Sequence, residues 1–254
     1  MPATRNRHTK LCLPLALSVA SVGVLIAGVA LVVAISRQPS THPTAFTVAE
    51  ARIQRSNDAP MFSVDVRYPK ISGGSATAAT QINALLQVDI NALVDNFVVD
   101  ARQAEPSTTL GSDLSTTYVA TTVGGVLSIA LTVDEFQQGA AHPNSTTLAY
   151  SFRVADGSLL ALSDVFKPGS AYLARLSEQA IARLSSNTDL PDVATGAAPT
   201  AEIFQRWLLD NDGLTVFFDP YQVGPYAAGP QRVTIPYGTL DDLLSPEART
   251  LLGR

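Results

Sequence analysis

Alternating strand-like segments paired across glycine-containing turns, with helical stretches between blocks of them, predict an α+β protein. Its largely antiparallel sheet packs with one long and several shorter helices, preceded by one transmembrane helix. The preceding helix rests on a separate observation. Residues 11–36 run 26 positions without a charge, and Arg5, Arg7 and Lys10 stand just before them. As a helix, that run reaches about 39 Å, more than the ~30 Å hydrocarbon core of a bilayer. The basic residues on its N-terminal side place residues 1–10 in the cytoplasm as a short stub. The remainder is then extracytoplasmic. A cleaved signal peptide is the competing reading, with Gly28-Val29-Ala30 and Ala34-Ile35-Ser36 as weak cleavage sites.

Residues 37–45, with the polar run QPSTHPT, form a linker, and the exported domain spans 46–244. Phe46–Ile53 and Met61–Tyr68 read as strands, the second alternating as FSVDVRY. Gly73-Gly74 ends that strand, and Ser75 is placed to cap a long helix running to about Arg102. Ile82, Leu85, Leu86, Ile90, Leu93, Val94, Phe97 and Val98 fall on one stripe, so this helix faces the core. Thr116–Val123 and Val126–Phe136 flank Gly124-Gly125 as a hairpin. Leu148–Val154 and Ser158–Leu162 flank Ala155-Asp156-Gly157 as a second one.

An amphipathic helix follows over Ala171–Leu184, then a small-residue loop over Val193–Pro199. Thr200 is placed to cap another helix reaching Leu208 or Leu209. Asn211-Asp212-Gly213 turns into the strand Leu214–Phe218, a Pro/Gly-rich loop leads to Arg232–Pro236, and Leu240–Leu244 closes the domain as a short helix.

Composition narrows the function. Residues 1–37 hold four of the 17 basic residues and none of the 22 acidic ones, so the remainder carries 13 against 22, a formal charge of −9. An acidic surface is a poor platform for nucleic acid and would attract a cationic partner. Cys12, the only cysteine, lies at the cytoplasmic edge of the span, so the exported part has neither disulfide nor thiol chemistry. Its two histidines, His42 and His142, fall short of a zinc set without cysteine. No phosphate-binding loop, dinucleotide fingerprint or nucleophile elbow is present. Asp210-Asn211-Asp212-Gly213 reads as a turn, because it lacks the spacing of a calcium loop. A catalytic triad built on His142, or a carboxylate pair, has no sequence constraint behind it. No catalytic residue, metal ligand or cofactor is therefore expected.

Two segments stand out. QQGAAHPN, residues 137–144, is a loop of small residues around His142, and FFDPYQVGPYAAGP, residues 217–230, carries Tyr221 and Tyr226. Tyrosines in such a loop serve either as recognition groups with apolar bodies and polar tips, or as cover for the core.

These segments carry a family resemblance. QQGAAHPNSTTLAYSFRVADGSLLALSDVF resembles the pattern of a "GGAH" loop, a strand, a turn and an "LxDLF" stretch. NDGLTVFFDPYQVGPYAAGPQRVTIPYGTLDDLL resembles its closing pattern with a "PYxVGPYAxG" loop and an "IPY" strand. YPKISGG before a long helix also fits. The family is the RsiV-type extracellular domain, found in lysozyme-responsive anti-sigma factors, beside peptidoglycan deacetylase domains and in a secreted immunogenic protein of mycobacteria. The likeness covers roughly residues 46–244. Ten residues before the membrane cannot hold a sigma factor, and the deacetylase relatives' metal motif is absent, so no enzymatic residue carries over.

The expectation is a membrane-anchored, non-enzymatic binding domain of the bacterial envelope. It touches the membrane through residues 11–36 and offers His142, Tyr221 and Tyr226 to a ligand. The ligand implied is a cationic protein such as lysozyme, or a peptidoglycan component. The rivals are a cell-wall hydrolase or deacetylase-like enzyme using His142, and a structural protein secreted after signal cleavage.

Overall fold

The computed structural model describes residues 46–104 and 110–254. The expected anchor at 11–36, the linker at 37–45, Cys12 and His42 lie outside the described residues.

Strands β1 (Phe46–Asp58) and β2 (Met61–Gly73) form an antiparallel hairpin. Alternation in β2 buries Phe62, Val64 and Val66 on one face. Gly73 and Gly74 both take positive φ, which ends the strand and lets the chain turn into helix α1 (Ala76–Ala101). Ser75 caps it, its side chain accepting from the Ala78 amide at 3.3 Å. The Asn83 side chain then bonds both the amide and the carbonyl of Ile71, at 2.8 and 2.7 Å, which pins the helix to β2. Among the described residues α1 is the one helix long and apolar enough to cross a membrane, by length and composition. Its stripe of Ile82, Leu86, Ile90, Val94 and Phe97 is nonetheless buried with the sheet residues Val66, Leu131 and Phe152.

From α1 the chain enters β3 (Ser112–Val123), which pairs parallel to β2 over Phe62–Asp65. Strands β4 (Val126–Phe136) and β5 (Asn144–Arg153) follow as antiparallel neighbours, giving a five-stranded sheet in chain order. The sheet is thus mixed, because a helix crossover between β2 and β3 returns the chain in the same direction.

A three-stranded antiparallel sheet forms the second layer: β6 (Trp207–Leu209), β7 (Gly213–Phe218) and β8 (Gln231–Pro236). Around it lie α2 (Leu162–Val165), α3 (Tyr172–Leu184), α4 (Val193–Gly196) and α5 (Pro246–Leu252). Phe166, Leu176, Phe204, Val216, Leu240 and Leu252 share its core. The two sheets are joined through Ser128 of β4. Its buried hydroxyl lies 3.0 Å from that of Ser151 and accepts the Leu209 amide at 3.1 Å.

Three expected elements differ. Residues 200–209 are not a helix: Ala201–Phe204 are turns and Trp207–Leu209 are strand β6. Trp207, Leu208 and Leu209 are all buried, so the segment has no solvent face, and a short apolar run buried on both sides is a strand pattern. Ser158–Leu162 makes only an isolated bridge between Leu159 and Phe152 before α2 begins. Leu240–Leu243 is a turn following a 3-10 segment, Leu244 makes an isolated bridge to Phe166, and the terminal helix is α5. It starts at the Ser245 cap, whose hydroxyl accepts from the Ala248 amide at 3.0 Å, with Pro246 at its first position. Gly253, left-handed, closes it. Because Ala248 and Leu252 join the core, the packed unit runs past Leu244.

Candidate binding site

Both segments singled out in the sequence lie in connections at strand ends. The β4–β5 connection turns at Gln137, whose carbonyl accepts the Ala140 amide at 2.9 Å, and delivers His142 just before β5. The β7–β8 connection starts at Asp219, whose amide donates to the Gln222 side chain at 3.1 Å and whose carbonyl accepts the Gln222 amide at 3.1 Å. Tyr221, inside that turn, is the one non-glycine residue with positive φ among the described residues, at 69°. Pro225 then opens a 3-10 turn over Tyr226–Ala228.

One clamp holds these connections in register. Asp219 Oδ1 accepts the Thr147 amide at 3.1 Å, and Asp219 Oδ2 lies 3.0 Å from the Arg206 guanidinium. Arg206 Nε donates to the Thr147 carbonyl at 3.0 Å, so both backbone groups of one β5 residue are tied to the root of the β7–β8 connection. Burial pushes the Asp219 carboxyl above the usual carboxylate range, against the pull of Arg206 and the Thr147 amide. A second tie comes from α4. The Gln222 amide side chain donates to the Gly196 carbonyl at 3.1 Å, and a Cβ on Gly196 would fall 1.7 Å from the Gln222 carbonyl oxygen. Only glycine permits that approach.

The clamp brings all three predicted site residues together. His142 stacks on Tyr226 with ring centroids 3.9 Å apart and planes 23° from parallel. Its Nε2 lies 3.0 Å from the Tyr221 hydroxyl, and its Nδ1 lies 2.8 Å from the Pro143 carbonyl oxygen. The two tyrosine rings are 5.8 Å apart. A carbonyl only accepts, so Nδ1 carries the proton, and in the neutral ring Nε2 accepts from the Tyr221 hydroxyl. Tyr221 is 62% exposed and therefore does not cover the core, while His142 and Tyr226 are half-buried. The cluster is a stacked aromatic surface with an imidazole oriented by two hydrogen bonds and a largely exposed Tyr221 ring.

Sequence reasoning missed the Arg206–Asp219–Thr147 clamp, whose members are far apart in the chain and carry no local signal. It read Asp210 correctly as a turn residue: Oδ1 accepts from the Asp212 and Gly213 amides at 2.8 and 3.0 Å. Among the described residues, no three His, Cys, Asp or Glu side chains come together as a metal site.

Fold and site define an α+β domain that displays an aromatic cluster where two strand connections meet. Residues 163–238 match the family described as protein of unknown function DUF3298. That stretch includes β7, β8 and the connection bearing Tyr221 and Tyr226. Over 125 residues, 47% of its length, the chain is 28% identical to the peptidoglycan-N-acetylmuramic acid deacetylase PdaC of Bacillus subtilis. The match spans only 27% of that relative. Two solved structures share the fold. A DUF3298 family member from Bacteroides fragilis superposes with a TM-score of 0.58 at 16% identity, covering 83% of this chain and 98% of that one. A DUF3298 family protein from Pseudomonas aeruginosa gives 0.53 at 19% identity, covering 81% and 95%.

Proposed function

We propose that this chain is a membrane-anchored, extracytoplasmic binding domain of RsiV type that takes a cell-wall glycan on the His142–Tyr221–Tyr226 surface without chemically altering it. The observation behind this reading is the convergence of two distant connections on one stacked, partly exposed aromatic cluster. Tyrosine offers large contact area at little conformational cost, and its face suits the apolar C–H face of a sugar ring while its hydroxyl serves the polar rim. The partial likeness to a deacetylase of peptidoglycan supports a wall ligand. The His142 ring is oriented by a backbone carbonyl and a tyrosine hydroxyl, with no serine or carboxylate bonded to it among the described residues, which favours binding over catalysis.

The test is co-sedimentation of the full chain, in detergent, with insoluble peptidoglycan. Retention of the wild type and loss of at least about tenfold affinity in Tyr226→Ala is the expected result, the size of one stacked aromatic contact removed from a small site. Equal retention of wild type and variant overturns the site. Release of acetate or soluble sugar by the wild type, abolished in His142→Ala, overturns the non-enzymatic reading.

A second reading rests on the formal charge of −9 outside residues 1–37: the partner is a cationic protein such as lysozyme. Such binding would weaken steeply with salt, whereas stacking on a neutral glycan would not.

A further inference from the structure

A groove of about 210 Å³ opens beside the aromatic cluster, between the start of β5 and the β7–β8 pair. Its walls include Thr132, Thr146, Phe217, Pro230, Gln231 and Arg232. Arg232 is exposed, and its guanidinium makes no ion pair or hydrogen bond with any described residue. Of the nearby acidic groups, Asp219 is paired with Arg206, and Asp134 accepts the Ser145 hydroxyl. Arg232 is thus a cation of this face without an ion-pair partner among the described residues, on a domain otherwise rich in carboxylates. Around it the Thr132 and Thr146 hydroxyls are unpartnered among the described residues, and Gln231 spends its amide on the Ala228 and Gly229 carbonyls, leaving its side-chain oxygen as an acceptor. Phe217, directly across from Arg232 in the β7–β8 register, supplies an apolar face.

The groove is continuous with the cluster along the chain. Pro230 follows Tyr226 by four residues, and Ser145, also on the groove wall, follows His142 by three. At about 3.4 Å per residue the two lie within roughly 10–14 Å, close enough for one short oligosaccharide to occupy both. We infer that the groove is a second subsite for a carboxylate-bearing saccharide, its carboxylate on Arg232 and its ring against Phe217 and Pro230, with a neighbouring ring on Tyr226. Guanidinium is the side chain whose planar fork matches a carboxylate in two parallel hydrogen bonds. The inference rests on the glycan-binding reading above.

Calorimetric titration of the full chain in detergent tests it with three probes. These are neutral chitotetraose, an N-acetylglucosamine–N-acetylmuramic acid tetrasaccharide, and a glucuronate-containing tetrasaccharide. The expected result is about tenfold tighter binding of at least one acidic probe than of chitotetraose, the scale of a charge-assisted pair. The preferred acidic probe tells a lactyl-ether carboxylate from a uronate. Arg232→Gln should erase that preference while leaving chitotetraose affinity and the far-UV spectrum unchanged. Equal affinity for all three probes, or equal weakening of all three in Arg232→Gln, overturns the subsite while leaving the aromatic site standing. Binding of none of them overturns the glycan reading and the subsite together.

Discussion

The His142 imidazole and the Tyr221 hydroxyl, 79 residues apart in the chain, meet at 3.0 Å. Neither residue reaches the other by local structure. The bond exists because the Asp219–Arg206 pair fastens one connection to Thr147 of β5 while β5 itself carries the other. The tautomer follows from that geometry. Nitrogen NMR should find the neutral His142 ring protonated on Nδ1, and Tyr221→Phe should remove the Nε2 contact while leaving Nδ1–H in place. Since the bond is partly solvated, its loss should cost about 0.5–1 kcal/mol of binding, a few-fold in affinity.

Tyr221 also carries a backbone cost. A non-glycine residue at φ 69° is disfavoured by about 1–2 kcal/mol, and glycine there would recover that minus its own larger folding entropy. Tyr221→Gly should therefore leave the fold as stable or about 0.5 kcal/mol more stable while weakening the proposed glycan binding. Chemical denaturation beside the sedimentation assay measures both. A variant that is clearly destabilised would show that the Tyr221 ring matters to folding.

Most of the first sheet was legible because each element carries its own period. FSVDVRY alternates, and the α1 stripe repeats with helical spacing behind a serine cap. The second layer was less so. Phe204 and Trp207–Leu209 are buried without a polar face to set a period, so propensity favoured the wrong element. The parallel pairing of β2 and β3 spans four residues and is fixed by the crossover, which no local pattern encodes. The α5 signals were present in Ser245, Pro246 and Gly253, but the neighbouring Leu240–Leu244 run drew the assignment. Of the site, its three residues were visible as loop chemistry. Their meeting depends on the clamp, whose bonds link residues 13 to 72 positions apart.

Ser128 ties the two sheets to each other with one buried oxygen. Ser128→Ala should leave the Leu209 amide and the Ser151 hydroxyl without that partner, at a cost of about 1–3 kcal/mol. Urea denaturation should show a lower midpoint with an unchanged slope, because the surface exposed on unfolding is the same. A changed slope would mean that the sheets no longer unfold as one unit.

Gly196 tests whether the site depends on α4. A methyl group there would meet the Gln222 carbonyl oxygen, a backbone atom that cannot swing aside, so the turn carrying Tyr221 must shift. Gly196→Ala should destabilise by about 1–3 kcal/mol, the usual range for overpacking. It should also weaken the proposed glycan binding although Gly196 is not part of the aromatic surface. Gln222→Ala, which removes the amide bond to Gly196 without a clash, should reproduce a smaller share of both effects.

The acid response should be governed by carboxylates held below their ordinary range. Arg175 reaches both oxygens of Asp242, at 3.2 and 3.3 Å, and donates to the Thr239 carbonyl at 2.6 Å, tying α3 to the turn before α5. The hydrogen bonds from Arg175 to the Asp242 carboxylate, then the charges of Arg175 and Lys167, lower the Asp242 pKa, and Arg52 does the same for Asp65. A carboxyl with a lower pKa in the folded state binds its proton more weakly there than in the unfolded chain. Its stabilising contribution is therefore complete above the unfolded value of about 3.9 and disappears as pH falls through the lower folded value. The melting temperature should accordingly drop below about pH 4. The gap between wild type and Asp242→Asn should be open at pH 7 and close below that range, where the aspartate is protonated and resembles the asparagine. A gap that stays constant with pH would assign the contact to shape, not charge.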